Sequence, residues 1–430
     1  MYNAVDVIEV RAWGATVGAV TLEPRLGYYA FEYAPAWRAR GLELAPLTMP
    51  LASLGAQSPY VFPSLPEGTY QRLPALLADA LPDDFGNALI DAYLARAGVE
   101  RNAITPLDRL AYMAARGMGA LEFRPARGPR HTKPTAIELS ELVSSSRQAL
   151  AGKFDGDRET EAAILNLIQV GTSAGGARAK AVVTWNSATN EIRSGQLPAA
   201  SGFDYWLVKL DGVGRDSELG TGGAYGRIEY AYSLMAKAAG IDMAECRLLE
   251  ENGRAHFMTR RFDRRDGEKV HMQTLCAMQH LDYKQRGTHD YNQYFQTIAA
   301  LGLGADALEQ GFRRMVFNVL AANCDDHTKN LSFLLPKNGQ WKLSPAYDVT
   351  HAFNPKGEWT YQHLMSVNGR FKGITRDELF AVGDRFLVPR IREAIREVFA
   401  AVAQWVDFAK LADVPKREVA AISAEFPKHY

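Results

Sequence analysis

No run of about 18 consecutive apolar residues occurs anywhere in the chain, so nothing in it reads as a membrane-spanning helix. The opening residues, Met1-Tyr2-Asn3-Ala4-Val5-Asp6, show no basic segment followed by an apolar stretch, which argues against export and predicts a cytoplasmic protein. Cysteine is scarce. Cys246, Cys276 and Cys324 are odd in number, widely spaced and free of any CxxC pair, so a disulfide framework and a metal finger are both excluded and a reducing compartment is expected. An excess of either charge is missing too: 49 Lys and Arg balance 49 Asp and Glu, leaving no global field to draw the protein to nucleic acid or an anionic membrane. Internal repeats and low-complexity tracts are absent. No GxxxxGK[ST] pattern appears, which removes a Walker-type nucleotide site, and no second histidine stands at ligand spacing from His327, which removes a zinc site.

What the chain does contain is the material for a large core. With 47% hydrophobic and 23% charged residues over 430 positions, it is long enough for two or three packed units. Val5, Val7, Val17 and Ala19 alternate around Trp13-Gly14-Ala15, predicting an opening hairpin. After a proline-rich stretch, residues 84–97 and 106–115 read as helices, and Pro125 to Pro134 reads as a basic Pro/Gly connector. Helical patterns at 136–150 and 159–167 then lead to a glycine-rich loop at 171–180, a strand at 181–185 and a strand at 205–210 carrying Lys209. A helix with Ile228, Tyr232, Met235 and Ala239 on one face closes at Gly240. Two hairpins are signalled by Asn252-Gly253 and Asn338-Gly339, and a capping box by Thr375 and Glu378. The expected class is α+β, divided as 1–125, 126–265 with the nucleotide loop, and a mainly helical 266–430.

The chemistry gathers in the second half. Leu308, Phe312, Met315, Val316, Val319 and Leu320 mark an apolar helical stripe that runs straight into Asp325-Asp326-His327-Thr328-Lys329-Asn330. Asp325 and Asn330 stand at the offset of the Asp and Asn in a protein-kinase catalytic loop, and Asp348 follows a hairpin, where a kinase places its metal-binding Asp. Phosphoryl transfer needs a carboxylate for the acceptor hydroxyl, oxygen ligands for magnesium, a lysine for the phosphates and a flexible backbone cradle. Taken singly, Asp325-Asp326 reads as a solvated helix end, Lys209 as a surface lysine and Gly175-Gly176 as a turn. Their order along the chain, cradle, strand lysine, helix, catalytic loop, hairpin and Asp, points instead to a kinase.

Ser173-Ala174-Gly175-Gly176-Ala177-Arg178-Ala179-Lys180 resembles the SxxGAxxK loop of HipA kinases, and Arg261-Phe262-Asp263-Arg264-Arg265 is similar to their RFDRR segment. Asp325-x-His327-x-Lys329-Asn330 and Tyr347-Asp348 match two further signatures. The resemblance extends to Phe31-Glu32-Tyr33-Ala34-Pro35-Ala36-Trp37, Pro46 to Leu51 and Leu81-Pro82-Asp83-Asp84, and so covers nearly the whole chain. It implies a HipA-like kinase fold and ATP contacts at Gly175 to Lys180, at Lys209, at a hinge formed by backbone groups of Arg260, Arg261 and Phe262, at His327 to Asn330, and at Tyr347 and Asp348. Asp325 would be the catalytic base, Asn330 and Asp348 the Mg²⁺ ligands, and Ser173 a site of autophosphorylation.

By the same resemblance the protein would be a serine/threonine kinase toxin of a toxin–antitoxin pair. Its expected substrate is an aminoacyl-tRNA synthetase, its expected outcome growth arrest and persistence, and its expected partner a HipB-like helix-turn-helix antitoxin through which alone it would meet DNA. Two other readings stay open at this point: a kinase for a small molecule or lipid, and a nucleotide-binding corepressor without activity.

Overall fold

The computed structural model describes residues 2–52, 59–128, 139–151, 179–213 and 224–427. Its contacts divide the chain into two units, each assembled from separate stretches. One comprises Met1–Gly214, Arg260–Gln273 and Leu335–Gly339; the other comprises Arg215–Thr259, Thr274–Leu334 and Gln340–Tyr430.

The first unit opens with an antiparallel sheet of β1 (Val7–Ala12), β2 (Ala15–Glu23), β3 (Tyr28–Tyr33) and β4 (Leu121–Arg124), in the order β3-β2-β1-β4. Trp13 (φ 49°) and Gly14 (φ 78°) form the turn between β1 and β2; two consecutive left-handed residues are what a tight hairpin turn requires. Ile8, Val10 and Ala12 alternate inward while Val7 faces out, the two-residue period of a half-buried strand. The register slips at Val10/Arg11, and opposite Val10 stands Gly18, where a Cβ would lie 2.1 Å from the Glu32 carbonyl oxygen, so no larger residue fits. Two helices follow with built starts. Asp83 caps Asp84–Ala95 by accepting from the Gly86 N–H at 2.8 Å, and Thr105 and Asp108 form a capping box on Pro106–Met113. Asp108 also accepts from the Val5 N–H at 3.0 Å, tying the start of the chain to that helix.

A second antiparallel group in this unit consists of β5 (Lys180–Asn186), β6 (Glu191–Ser194) and β7 (Asp204–Lys209), with β5 in the centre. The pairing of β5 with β7 runs from Lys180↔Lys209 to Trp185↔Asp204.

The other unit is mainly helical. Tyr225–Ala238 ends at Gly240 (φ 74°), and a hairpin pairs Cys246 to Glu251 with Arg254 to Thr259 around Asn252 (φ 46°) and Gly253 (φ 77°). Gly304–Leu320 packs against Ile391–Ala403. Phe312, Met315, Val316 and Leu320 are fully buried, whereas Leu308 and Val319 are only partly so. Each fully buried side chain of this size contributes roughly 1.5–3 kcal/mol, which is ample reason for the helix to hold its place. Tyr232 sits edge-on to Phe317 and Trp405, with ring centroids 6.2 and 5.3 Å away.

Phe333 pairs with Leu343 and Leu334 with Lys342, so the strand–turn–strand expected around Asn338-Gly339 exists. Its turn differs in form: the Gly339 N–H closes onto the Pro336 carbonyl at 3.1 Å, and Asn338 and Gly339 keep ordinary backbone angles. The Thr375 N–H donates to the Glu378 carboxylate at 2.8 Å, the expected capping contact on Arg376–Arg385.

Candidate functional site

In the first unit the register of β5 against β7 sets Lys180 directly opposite Lys209. Directly paired residues point to the same face, so two ammonium-bearing side chains converge there, each only 5% exposed. Lys209 is thus no surface lysine. Ala179, just before Lys180, is fully buried, and its carbonyl accepts from the Leu210 N–H at 2.9 Å. Ser173, Gly175, Gly176, Ala177 and Arg178 lie outside the described residues.

The expected hinge residues divide in their roles. Arg260 is half exposed and reaches Asp204 at 2.6 Å. The Arg261 N–H donates to the Tyr205 carbonyl at 2.9 Å and is thereby spent. The Arg261 side chain is buried and donates to Asp263 through Nε at 2.9 Å and a terminal nitrogen at 2.7 Å. Phe262 is half-buried. Asp263 has no exposure and also takes bonds from Arg264 at 2.6 Å and from the Gly119 N–H at 2.8 Å. Burial alone would raise its pKa, but the two guanidiniums and the amide hold it well below the usual carboxylate range. Arg261 and Arg264 further donate to the Gly117 carbonyl, so Asp263 is the centre of a clamp joining residues 117–119 to 261–264.

In the second unit the helix Gly304–Leu320 stops, Ala322 turns left-handed (φ 50°), and the loop Asn323 to Asn330 begins. Asp325 is partly exposed, with one carboxylate oxygen 3.8 Å from His327 Nε2. Asn330 donates Nδ2 to the Asp325 carbonyl at 2.8 Å, and its own N–H to the His327 carbonyl at 2.9 Å. That bond uses the amide nitrogen, and the Asn330 oxygen is the side chain's acceptor atom. Tyr347 donates to the Lys329 carbonyl at 2.6 Å and also bonds Ser332. Thr328 is buried and bonds the Leu281 carbonyl at 2.9 Å. His327 and Lys329 flank the Tyr283 ring, at 5.3 Å and 4.8 Å.

Asp348 sits at φ 55°, a left-handed angle that costs a non-glycine residue on the order of 1 kcal/mol or more. Asn330, Tyr347 and Asp348 line one pocket together with Arg314, Asn323 and Asp326. The pocket has about 20 Å³ of room, enough for one water molecule. Asn323 Oδ1 has no hydrogen-bond partner, so the pocket offers an oxygen that a solvated ion or its water would satisfy. Hard oxygen donors in this number suit Mg²⁺, which keeps several waters and takes the rest of its ligands from phosphate. Among the described residues no three His, Cys, Asp or Glu side chains gather into a metal cage.

One part of this site was not foreseen. Asp326, next to Asp325, is fully buried and accepts from Tyr291 at 2.9 Å, from His363 Nδ1 at 2.9 Å and from the Leu364 N–H at 2.8 Å. Burial alone would lower the His363 pKa, but the Asp326 carboxylate beside it raises it well above the ordinary 6.5. The Asp-Asp doublet is the only signal of this in the sequence, and it does not say which Asp turns inward.

A small sheet bearing a lysine pair, and a helical unit ending in an Asp-x-His-x-Lys-Asn loop with an Asp beyond a hairpin, define an α+β protein with kinase-like element order. A family model for the HipA-like C-terminal domain matches residues 172–406, and one for the HipA N-terminal domain matches residues 8–124. The former spans more than half of the chain, and the protein belongs to the HipA family. It is similar to Y4dM of Sinorhizobium fredii (strain NBRC 101917 / NGR234), named provisionally as a kinase, with 26% identity over 243 residues, 50% of this chain and 55% of that protein. A protein of Haemophilus influenzae with a like name is 34% identical over 134 residues, 28% of this chain and 39% of its own length. The chain therefore spans about half the length, or less, of the curated relatives it matches. Among solved structures, HipA in the Shewanella oneidensis MR-1 complex of HipA, HipB and operator DNA has the same fold, with a TM-score of 0.67 and 19% identity over 97% of this chain and 94% of that one.

Proposed function

We propose that this protein is an ATP-dependent serine/threonine protein kinase and the toxin of a toxin–antitoxin pair. The observation that carries the reading is the coupling of Asp325, Asn330 and Asp348: Asn330 holds the Asp325 main chain through its amide nitrogen, and the same side chain lines the pocket that Asp348 enters. Asp325 accepts the proton of the acceptor hydroxyl and orients its oxygen. Asn330 and Asp348 hold Mg²⁺, which when bound offsets the triphosphate charge. Lys180 and Lys209 bind phosphate oxygens and serve the same reaction. Backbone groups at Arg260, Arg261 and Phe262 are the assigned contacts to the adenine.

Membership of the HipA family and the solved HipA complex support a HipB-like helix-turn-helix antitoxin as partner, with DNA contacted through it. The balanced charge of the chain agrees with DNA contact of that borrowed kind. We assign the substrate to the translation machinery, an aminoacyl-tRNA synthetase, and Ser173 as the residue modified by the enzyme itself. No helix among the described residues is long and apolar enough to cross a membrane, which agrees with action in the cytoplasm. Phosphoproteomics after controlled expression, beside an Asp325→Ala control, tests this. A synthetase phosphopeptide present with the parent protein and absent from the control is expected. Labelling confined to a small molecule or lipid, or no difference between the two, overturns the assignment.

A further inference from the structure

Asp325 owes its place to its neighbour. The peptide that follows it is held from two directions: the Asp325 carbonyl accepts from Asn330 Nδ2 at 2.8 Å, and the Asp326 side chain is anchored by Tyr291, His363 and the Leu364 N–H. On the other side the Cys324 N–H donates to the Ala352 carbonyl at 3.1 Å. These restraints leave Asp325 little freedom beyond its own side-chain torsions. The anchor is itself braced. Asn318, on the last turns of Gly304–Leu320, donates to the Tyr291 hydroxyl at 2.9 Å and accepts from Asn323 Nδ2 at 2.9 Å. The network thus returns to the loop it leaves, running Asn323, Asn318, Tyr291, Asp326, and every member is at least nine-tenths buried.

We propose that Asp326 is a positioning residue for Asp325, and that Asp326, Tyr291 and His363 together fix the loop geometry from which the Asp325 carboxylate meets the acceptor hydroxyl. This rests on the reading of Asp325 as the base. A purely architectural role would have the network hold the fold alone, and the two roles separate in what they do to activity. Displacing a catalytic group by about 1 Å costs on the order of 100-fold in turnover, whereas loosening a buried network elsewhere lowers stability and leaves turnover per folded molecule unchanged. The Asp326 anchor lies one residue from the Asp325 carboxylate, and although Asp326 lines the same pocket as Asn330 and Asp348, both of its oxygens are taken by Tyr291, His363 and the Leu364 N–H, so its loss should be felt in transfer more than in nucleotide binding.

The test uses the full chain and three variants. Asp326→Asn keeps the shape but exchanges an acceptor oxygen for a donor facing His363 or Leu364; Tyr291→Phe deletes one bond and keeps the ring; Asp325→Ala marks the background. kcat, KM for ATP, Mg-ATP affinity by calorimetry and the melting temperature are measured for each. Asp326→Asn is expected to lose about 10- to 100-fold in kcat with KM and affinity for ATP within about twofold. Tyr291→Phe, the safeguard should Asp326→Asn not fold, is expected to lose severalfold in kcat at near-parental nucleotide affinity. Folded variants with parental kcat, or a parallel fall of kcat and ATP affinity, overturn the positioning role while leaving the kinase reading intact. Should Asp325→Ala transfer phosphate as well as the parent, the base assignment itself has failed, and that result is recognised separately from the other two.

Discussion

Asp263→Asn would remove the charge at the centre of the clamp in the first unit. Asp263 has no exposure, and the arginines it pairs retain only 1% and 8% of their side-chain surface. Neutralising it leaves two guanidiniums buried without their counter-ion, and breaking a buried pair in this way costs about 3–5 kcal/mol. Set against a typical domain stability of roughly 5–15 kcal/mol, that is a large share. The loss should be local first, because the clamp holds residues 117–119 to 261–264. Hydrogen exchange followed by mass spectrometry is the assay: the amides of Gly119 and Val270 should lose most protection, since the Val270 N–H bonds the Asp263 carbonyl at 3.0 Å. Urea unfolding should move by the same few kcal/mol. Asp266→Asn is the control, an exposed neighbour 3.9 Å from Arg265, and should change nothing measurable. The pH dependence has a definite sign. A carboxylate held below its unfolded value near 3.8 stabilises the fold above that pH and loses its contribution as the pH falls through the lower native value. A cost under about 1 kcal/mol, or unaltered exchange at Gly119, would refute the reasoning.

Asp348→Asn should raise the Mg²⁺ concentration needed for nucleotide binding by about tenfold or more, since a charged oxygen ligand becomes neutral; titration of Mg²⁺ at fixed nucleotide checks it, and an unchanged metal dependence removes Asp348 from the ligand set. Lys209→Met should weaken ATP binding by at least about tenfold, the equivalent of one charge-assisted hydrogen bond, as read by calorimetry; unchanged affinity removes Lys209 from the phosphate contacts. His363 has a native pKa raised above 6.5, so its pair with Asp326 stabilises fully below that pH and loses its contribution as the pH rises through the native value. Urea midpoints taken from pH 6 upward should therefore fall on the alkaline side, and His363→Gln should flatten that fall.

Local signals carried much of this architecture. Trp13-Gly14 and Asn252-Gly253 sit at tight turns because few residue pairs tolerate two left-handed angles, and the stripe of Phe312, Met315, Val316 and Leu320 predicts a helix because its period matches one buried face. Asp325, Asn330 and Asp348 were recognisable because their spacing is a property of one loop and one hairpin. Lys180 opposite Lys209 was not, because it depends on the register between strands that do not adjoin in sequence. Asp326 was hidden for the same reason: its partners are 35 and 37 residues away. At Pro336 to Gly339 the Asn-Gly signal located the turn but not its form, which is closed by the Gly339 N–H on the Pro336 carbonyl. Nor could any pattern of periodicity announce that Arg260–Gln273 joins the first unit across a long stretch of chain.

The central claim, that Asp325 is the base of a phosphotransferase, is tested most directly by incubating purified parent protein and Asp325→Ala with γ-labelled ATP and Mg²⁺ and following label into protein by mass spectrometry. The parent should carry phosphate on the peptide containing Ser173, and Asp325→Ala should carry none while binding Mg-ATP with parental affinity. Equal labelling of the two proteins, or no transfer by the parent to itself or to any protein of a cell extract, would contradict it.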